Sequence, residues 1–169
     1  MNYDDARNQL IQTWGQLSTQ WGISRTMGQI HALLMITPGA LTADDIIEQL
    51  NISRGNVSMN LRNLVEWGIV NKVFVAGDRK EYYTAEKDAW KMALQIARER
   101  KRRELDPAIQ SLAALQNIPD AEEQKIEIAE FNKMTSQLLD VAMQVDKVLD
   151  ISIRSGGQSV VRKLINVLR

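Results

Sequence analysis

The sequence lacks cysteine, has a single histidine and carries no net charge, with 21 basic and 21 acidic residues among 169. Without cysteine there is no disulfide framework, no thiolate zinc site and no cysteine nucleophile, and this composition fits a reducing cytosol. No apolar run approaches the roughly 18 residues of a membrane span, and the acidic start is unlike a signal peptide. These absences predict a cytoplasmic protein without a membrane span.

The remaining composition is that of a folded globular chain. Hydrophobic residues make up 44% and charged residues 25%, close to the averages for such proteins. The length suits one compact domain or two small ones. Because the net charge is zero, any binding of nucleic acid must depend on a local concentration of positive charge.

The N-terminal region is predicted to form two amphipathic helices in succession. Apolar and aromatic side chains recur every three or four residues from Tyr3 to Trp21, which is the period of an α-helix. Ser24 is placed to cap a second helix and Pro38 to stop it. We therefore predict that residues 1–24 hold a first helix that serves dimerisation or packing.

A helix-turn-helix pattern follows, and then a β-hairpin pattern. Thr42 and Ser53 are N-cap residues for two helices that a tight turn separates. Valine, phenylalanine and tyrosine are then concentrated in residues 70–75 and 81–84, as in β-strands. This order predicts a mainly α fold with a winged helix-turn-helix over residues 25–84 and a two-stranded wing.

The second helix of this pattern has a surface suited to DNA. Once Val57, Leu61 and Leu64 are assigned to the core, its predicted outward face has amide, hydroxyl and guanidinium groups and no carboxylate. The residues of that face are Ser53, Arg54, Asn56, Ser58, Asn60, Arg62 and Asn63. Amides and guanidinium groups bind base edges and phosphates, whereas a carboxylate would repel the DNA backbone.

Positive charge is concentrated in the same part of the chain. Residues 53–80 carry five basic and two acidic side chains, a local charge of +3 in a neutral protein. We expect Arg79 and Lys80, at the tip of the hairpin, to contact the DNA backbone or the minor groove. Asp78 is expected to accept hydrogen bonds from turn amides or to orient Arg79. The alternative is a winged helix that binds protein or merely packs.

Residues 85–169 are predicted to form a helical dimerisation region with a C-terminal tail. Its basic run at residues 98–103 is either a DNA-flanking patch or, as we favour, a solvated helix face. Pro107 predicts a bend, because a proline fits only the first turn of a helix.

An apolar stripe further along resembles a short heptad seam. It must pack against another helix of this chain or of a second copy. The stripe consists of Phe131, Met134, Leu138, Val141, Val145, Val148 and Ser152. The tail, residues 157–169, is expected to pack against the long helices or across a dimer.

Two stretches carry a family resemblance, residues 50–62, LNISRGNVSMNLR, and residues 77–86, GDRKEYYTAE. They resemble the MarR family of winged-helix transcription factors, and in particular its GbsR-like branch. The resemblance implies a homodimer joined through terminal helices, with recognition helices in successive major grooves of a double-stranded operator. It also implies that residues 53–62 read the operator, with Arg79 and Lys80 at the wing. We therefore expect a transcriptional regulator, with repression favoured over activation.

The resemblance also implies a small effector, since members of that branch respond to choline-type osmolytes. Five aromatic side chains are candidates for a cation–π cage around a quaternary ammonium group. They are Trp14, Trp21, Trp67, Tyr82 and Trp90. The helical spacing of Trp14, Trp21 and Trp90 favours the alternative, in which these side chains belong to the core.

The sequence offers no catalytic or metal site. His31 lacks neighbours at metal-ligand spacing and is predicted to be structural. There is no phosphate-binding glycine loop and no paired acid and base, so we expect neither an enzyme nor a cofactor. The other function that we consider is a helical interaction module, which binds a protein partner or an anionic membrane surface instead of specific DNA.

Overall fold

The computed structural model describes residues 1–119 and 122–156. The tail that we predicted to pack against the long helices, residues 157–169, lies outside the described residues. In chain order the elements are α1 (Tyr3–Gln20), α2 (Arg25–Ile36), β1 (Leu41–Thr42), α3 (Ala43–Leu50), α4 (Arg54–Glu66), β2 (Val70–Val73), β3 (Tyr82–Ala85), α5 (Ala89–Arg100), a π-helical segment (Lys101–Leu105), α6 (Asp106–Ala114), a 3-10 turn (Glu122–Gln124) and α7 (Lys125–Arg154). Within the described ranges, no helix is both long and apolar enough to span a membrane.

The first of two compact units, Met1–Met92, is built around α2. This helix contacts α1, α3, α4 and β3. Its Ile30, Leu33 and Leu34 are fully buried, as in a helix that is apolar around most of its circumference. We expected residues 1–24 to be a separate dimerisation or packing element, and the structure packs α1 against α2 within this unit.

Small residues let α1 and α2 approach each other closely. A Cβ atom added to Gly28 would lie 2.6 Å from the Cβ of Ser18 and 3.1 Å from the Cα of Gly15. The hydroxyl of Ser18 donates a hydrogen bond to the carbonyl of Trp14 in its own helix, at 2.8 Å, so it is satisfied inside this contact. The glycine at position 28 therefore sets the distance between the two helices.

The predicted N-caps are confirmed. The hydroxyl of Ser24 accepts a hydrogen bond from a first-turn amide of α2 at 3.1 Å, and that of Ser53 does the same for α4 at 3.4 Å. Thr42 and Asp45 form a reciprocal capping box at the start of α3. Asn51 ends α3 in the left-handed conformation, with φ 52°, and this permits the tight turn into α4.

The predicted two-stranded wing is confirmed as β2 and β3, and a third strand, β1, extends the sheet in the order β1–β3–β2. In the wing, β2 and β3 are antiparallel with Val70 opposite Ala85. The additional strand, β1, pairs with β3 through Leu41 opposite Tyr83. It comprises two residues, and a segment of that length has no alternation that a sequence pattern can reveal.

The second unit begins at Ala93 and is helical. The chain stays helical across Pro107, where we predicted a bend, because Lys101–Leu105 takes up a wider π-helical turn. In an α-helix a proline ring clashes with the carbonyl four residues earlier, here that of Arg103. The π-helical turn lies where that clash would occur.

The basic run at residues 98–103 makes ion pairs within the second unit. The Lys101 ammonium lies 2.8 Å from the carboxylate of Asp146 on α7, and the Arg102 guanidinium lies 2.7 Å from the carboxylate of Glu99. Glu99 is 6% exposed, so its charge is compensated in the interior. The hydrogen bond with Asp146 raises the pKa of Lys101 above its usual range. The run therefore does more than face solvent, because it ties helices of this unit together.

The predicted apolar stripe lies on α7 and is solvent-exposed. Phe131 is 38% exposed and Val141 59%, and the apolar side chains of the stripe between them and beyond are similarly open. Of the described residues of α7, Ile128 and Thr135 are the buried ones. In the part of the chain that the structure describes, the apolar stripe of α7 is therefore uncovered. Of the two partners predicted for the stripe, a described helix of this chain is excluded.

Candidate nucleic-acid interface

The orientation of α4 is set by its buried face. Val57 is fully buried, Leu64 is 1% exposed and Leu61 is 2% exposed, as predicted. Because these side chains pack into the core of the first unit, the opposite face of α4 points to solvent. The N-cap of α4, Ser53, is exposed. It belongs to the short turn that separates α4 from α3.

One predicted interface residue, Asn60, is wrongly assigned, because it is 1% exposed. Its Oδ1 accepts a hydrogen bond from the hydroxyl of Ser24 at 2.9 Å, and its amide nitrogen donates to the backbone and side-chain oxygens of Asn56 at 2.8 and 2.7 Å. Asn60 follows Val57 by three residues and precedes Leu64 by four, so helical spacing places it on the buried face. That spacing was a signal available in the sequence.

The other polar residues that we predicted on α4 are fully or partly accessible. Ser53, Arg54, Ser58 and Arg62 are exposed, and Asn56 and Asn63 are half-buried. The guanidinium of Arg54 lies 2.7 Å from the carboxylate of Asp44 on α3, with both side chains mostly in solvent. An acidic residue of the neighbouring helix therefore borders the face that has no carboxylate of its own.

Met59 is an exposed residue of this face that sequence reasoning missed. It is 57% exposed on the middle of α4, between Ser58 and Asn60 in the chain. An apolar side chain on a solvent-facing helix is common, but in a DNA major groove it offers a contact for the methyl group of thymine. The interruption of the polar pattern at position 59 was the available signal.

The tip of the wing is organised by Asp78. Its carboxylate accepts hydrogen bonds from the backbone N–H of Lys80 at 2.9 Å and from the hydroxyl of Tyr82 at 2.8 Å. These bonds, that of Lys80 first, hold the pKa of Asp78 below its usual range, so it stays ionised. The turn passes through Gly77, with φ 84°, and leaves Arg79 and Lys80 exposed. The predicted turn role of Asp78 is confirmed.

A polar groove lies between α4 and the wing. Its cavity has a volume of about 350 Å³. The lining residues are Ser58, Arg62, Val65, Lys72, Glu81 and Tyr83. The groove connects the predicted recognition face with the strands behind the wing tip, and its six lining residues include two cations and one anion.

A carboxylate is fixed inside this groove. Glu81 lies 2.7 Å from the ammonium of Lys72 and accepts a hydrogen bond of 2.6 Å from the hydroxyl of Tyr83. The hydrogen bond from Lys72, and then that from Tyr83, lowers the pKa of Glu81. Burial and the neighbouring carboxylate raise the pKa of Tyr83 to about 12, so its hydroxyl remains a donor. The ammonium of Lys72 also lies 5.9 Å from the centre of the Tyr83 ring.

The five aromatic candidates for an effector site are spread over α1 with its C-cap, the C-cap of α4, β3 and α5. Trp14 and Trp21 contact each other edge to face, with ring centroids 6.0 Å apart. Tyr82 belongs to β3 in the wing, Trp67 follows α4 directly and Trp90 lies in the first turn of α5. The expectation that the stripe tryptophans are core residues is wrong for Trp21 and Trp90, which are 39% and 42% exposed because they lie at helix ends.

His31 lies in the interior, as expected of a structural residue. It is 3% exposed, and its Nδ1 accepts a hydrogen bond of 3.3 Å from the indole N–H of Trp14. Burial lowers the pKa of His31 to about 4, so the ring is neutral near pH 7. It joins α1 to α2 next to the tryptophan pair.

Comparisons with known proteins find similarity to winged-helix transcriptional regulators. Residues 21–81 match the model of the MarR family. The chain is 28% identical over 88 residues to the HTH-type transcriptional repressor GbsR of Bacillus subtilis. The matching residues make up 52% of this chain and 48% of that protein. It is 26% identical over 113 residues to the HTH-type transcriptional regulator MmpR5 of Mycobacterium tuberculosis, covering 66% and 62%.

One solved structure shares the architecture. A crystal structure of a transcriptional regulator is 20% identical, with a TM-score of 0.58, over 83% of this chain and 95% of that one. At this identity the likeness shows a common fold. The chain spans about half to three fifths of the length of the two relatives named above.

Proposed function

We propose that the chain, whose residues 21–81 match the model of the MarR family, regulates transcription by binding a specific double-stranded DNA site. The observation that carries the proposal is the exposed face of α4 beside a wing whose tip presents Arg79 and Lys80. A helix entering the major groove with a cationic hairpin next to it provides both base contacts and phosphate contacts.

Within this interface the exposed side chains have different roles. Arg62 and Ser58 project from α4 and are assigned to base edges or phosphates, and Met59 to the methyl group of a thymine. Arg79 and Lys80 are assigned to the backbone or the minor groove beside the site. Asn60 has no part in the contact, since it is buried.

The binding unit is a homodimer that acts as a repressor. The uncovered stripe on α7 supports this assignment, because an exposed apolar seam of coiled-coil spacing is stabilised by a second copy of itself. Two recognition helices then face half-sites about 34 Å apart on one side of the DNA. A dimer that covers a promoter in the cytoplasm blocks polymerase without a further contact surface.

A small organic cation of the choline type is the effector in this proposal. The edge-to-face pair of Trp14 and Trp21, with Trp21 39% exposed, supports it by offering aromatic faces to a quaternary ammonium group. Titration of choline into the protein, with tryptophan fluorescence and DNA affinity both recorded, tests this part independently. A saturable change in both signals is expected, and unchanged DNA affinity would contradict it.

The experiment that tests the DNA-binding proposal is a fluorescence anisotropy titration with DNA from upstream of the coding region. Binding is measured across a salt series, against a scrambled duplex of the same length and composition. Tighter binding to the natural sequence, with a steep salt dependence, is expected. Equal affinity for the two duplexes at every salt concentration, with or without choline, would refute sequence-specific binding and favour the interaction module.

A further inference from the structure

Glu81 is an acidic residue in a groove that otherwise suits a phosphate. The groove between α4 and the wing holds Arg62, Lys72 and the hydroxyl of Ser58, all of which bind phosphate oxygens in protein–DNA complexes. The carboxylate of Glu81 lies 2.7 Å from the ammonium of Lys72 and competes with a phosphate for it. A charge of the same sign as DNA is therefore fixed between two potential DNA contacts.

The position of this carboxylate is set by a buried residue. Tyr83 is 7% exposed in the central strand β3, and its hydroxyl donates to Glu81 at 2.6 Å. The ring is held by the sheet, so the carboxylate that it binds is held as well. By contrast, the ion pair itself is half in solvent, with 40% of the Lys72 side chain and 50% of the Glu81 side chain exposed. The lysine is free to exchange its partner, whereas the glutamate is anchored.

We propose that Glu81 is a built-in counter-ion, which holds Lys72 away from the phosphate backbone and thereby limits both the affinity for DNA and its salt dependence. The inference rests on the DNA-binding function proposed above. In the wild-type complex the ammonium of Lys72 stays paired with the Glu81 carboxylate, so one phosphate contact that the groove could make is not formed. When its electrostatic attraction to the phosphates is weakened in this way, the protein depends more on base contacts, and less on backbone contacts, for its affinity for DNA.

The test compares the full-length protein with its Glu81→Gln variant in salt-dependent anisotropy titrations on the natural and the scrambled duplex. Since exposed ion pairs contribute little, releasing Lys72 is expected to raise affinity about twofold to fivefold on both duplexes. One added phosphate contact is expected to steepen the slope of log K against log salt by about 0.9. A purely structural role for Glu81 would change thermal stability and leave this slope unaltered.

Two further variants make the result specific to Lys72. In Glu81→Gln combined with Lys72→Met, the gain in affinity and the steeper slope are expected to disappear. Asp140→Asn removes the same charge from an exposed site on α7 and is expected to leave the slope unchanged. A wild-type protein that prefers its natural duplex, with a Glu81→Gln variant of equal or lower affinity, overturns the counter-ion role alone. A wild-type protein without sequence preference overturns the proposed function instead.

Discussion

The hydroxyl of Ser24 donates a hydrogen bond of 2.9 Å to the side-chain oxygen of Asn60, across 36 residues of sequence. The same hydroxyl accepts from the backbone at the start of α2, so one side chain caps a helix and satisfies a buried amide. This bond fixes α4 to the start of α2, the central helix of the first unit. It also explains why an asparagine in a polar-looking helix faces the interior.

Replacing Asn60 with alanine is therefore expected to affect folding before it affects DNA binding. Loss of the amide leaves the Ser24 hydroxyl and the Asn56 oxygens without this partner, at a cost of about 1–3 kcal/mol in the free energy of unfolding. Urea denaturation measures the change, with Asn71→Ala, on an exposed position of β2, as the control. A variant of unchanged stability but weaker DNA binding would return Asn60 to the interface.

Arg62 is the side chain of α4 expected to matter most for DNA affinity. Arg62→Ala is predicted to weaken operator binding by about 1–3 kcal/mol if the guanidinium reads a base. Arg54→Ala is the matched control, because Arg54 is already paired with Asp44 at 2.7 Å and should lose less. Anisotropy on natural and scrambled duplexes measures both, and equal losses on the two duplexes would make Arg62 a phosphate contact.

Gly28→Ala is expected to force α1 away from α2. The new Cβ would lie 2.2 Å from the hydroxyl oxygen and 2.6 Å from the Cβ of Ser18, so the helices must separate, at a cost of about 1–3 kcal/mol. Gly55→Ala is the control and is expected to raise the free energy of unfolding. Nothing lies within 4 Å of a Cβ atom at that position of α4, and alanine favours the helix. Thermal and urea unfolding measure both, and a neutral Gly28→Ala would show that the helices are not in close contact.

Stability is predicted to fall on mild acidification because of His31. Burial lowers its pKa from 6.5 to about 4, so the folded protein resists protonation that the unfolded chain accepts. Above pH 6.5 the titration of His31 does not lower the free energy of unfolding. As the pH falls from 6.5 towards 4, this free energy decreases by a total of about 3 kcal/mol. Urea midpoints are to be measured from pH 7.5 to 4.5 beside His31→Gln, which does not titrate. A parallel decline in both proteins would assign the acid sensitivity to carboxylates.

The uncovered face of α7 predicts a charge-sensitive dimer. Val141 is 59% exposed on the apolar stripe, so Val141→Asp costs little in an isolated chain but places two carboxylates in a symmetric interface. Sedimentation equilibrium is expected to show a dissociation constant raised at least tenfold. Ser136→Asp is the matched control, because it adds the same carboxylate at an exposed position of α7 outside the stripe. An unchanged association constant for Val141→Asp would exclude this stripe from the interface.

The sequence predicted much of the fold and only part of the site. The N-caps Ser24, Thr42 and Ser53, and the turn role of Asp78, follow from hydrogen bonds between residues two or three apart, and all are found. The groove around Glu81 escaped prediction because its members come from α4, β2, β3 and the residue before β3. Which of the exposed α4 and wing residues touch DNA stays a prediction.

What the sequence by itself determined is the order and type of the elements, because helical period, capping and turn formation depend on neighbours within about one helical turn. Only the tertiary structure decided that Ser24 is the partner of the Asn60 amide, that β1 joins the sheet, and that the α7 stripe is left open. Each depends on partners distant in the chain, and local spacing does not specify which distant surfaces meet. Burial is set by where those surfaces come together, so a polar side chain such as Asn60 lies inside only when a remote residue such as Ser24 satisfies its hydrogen bonds.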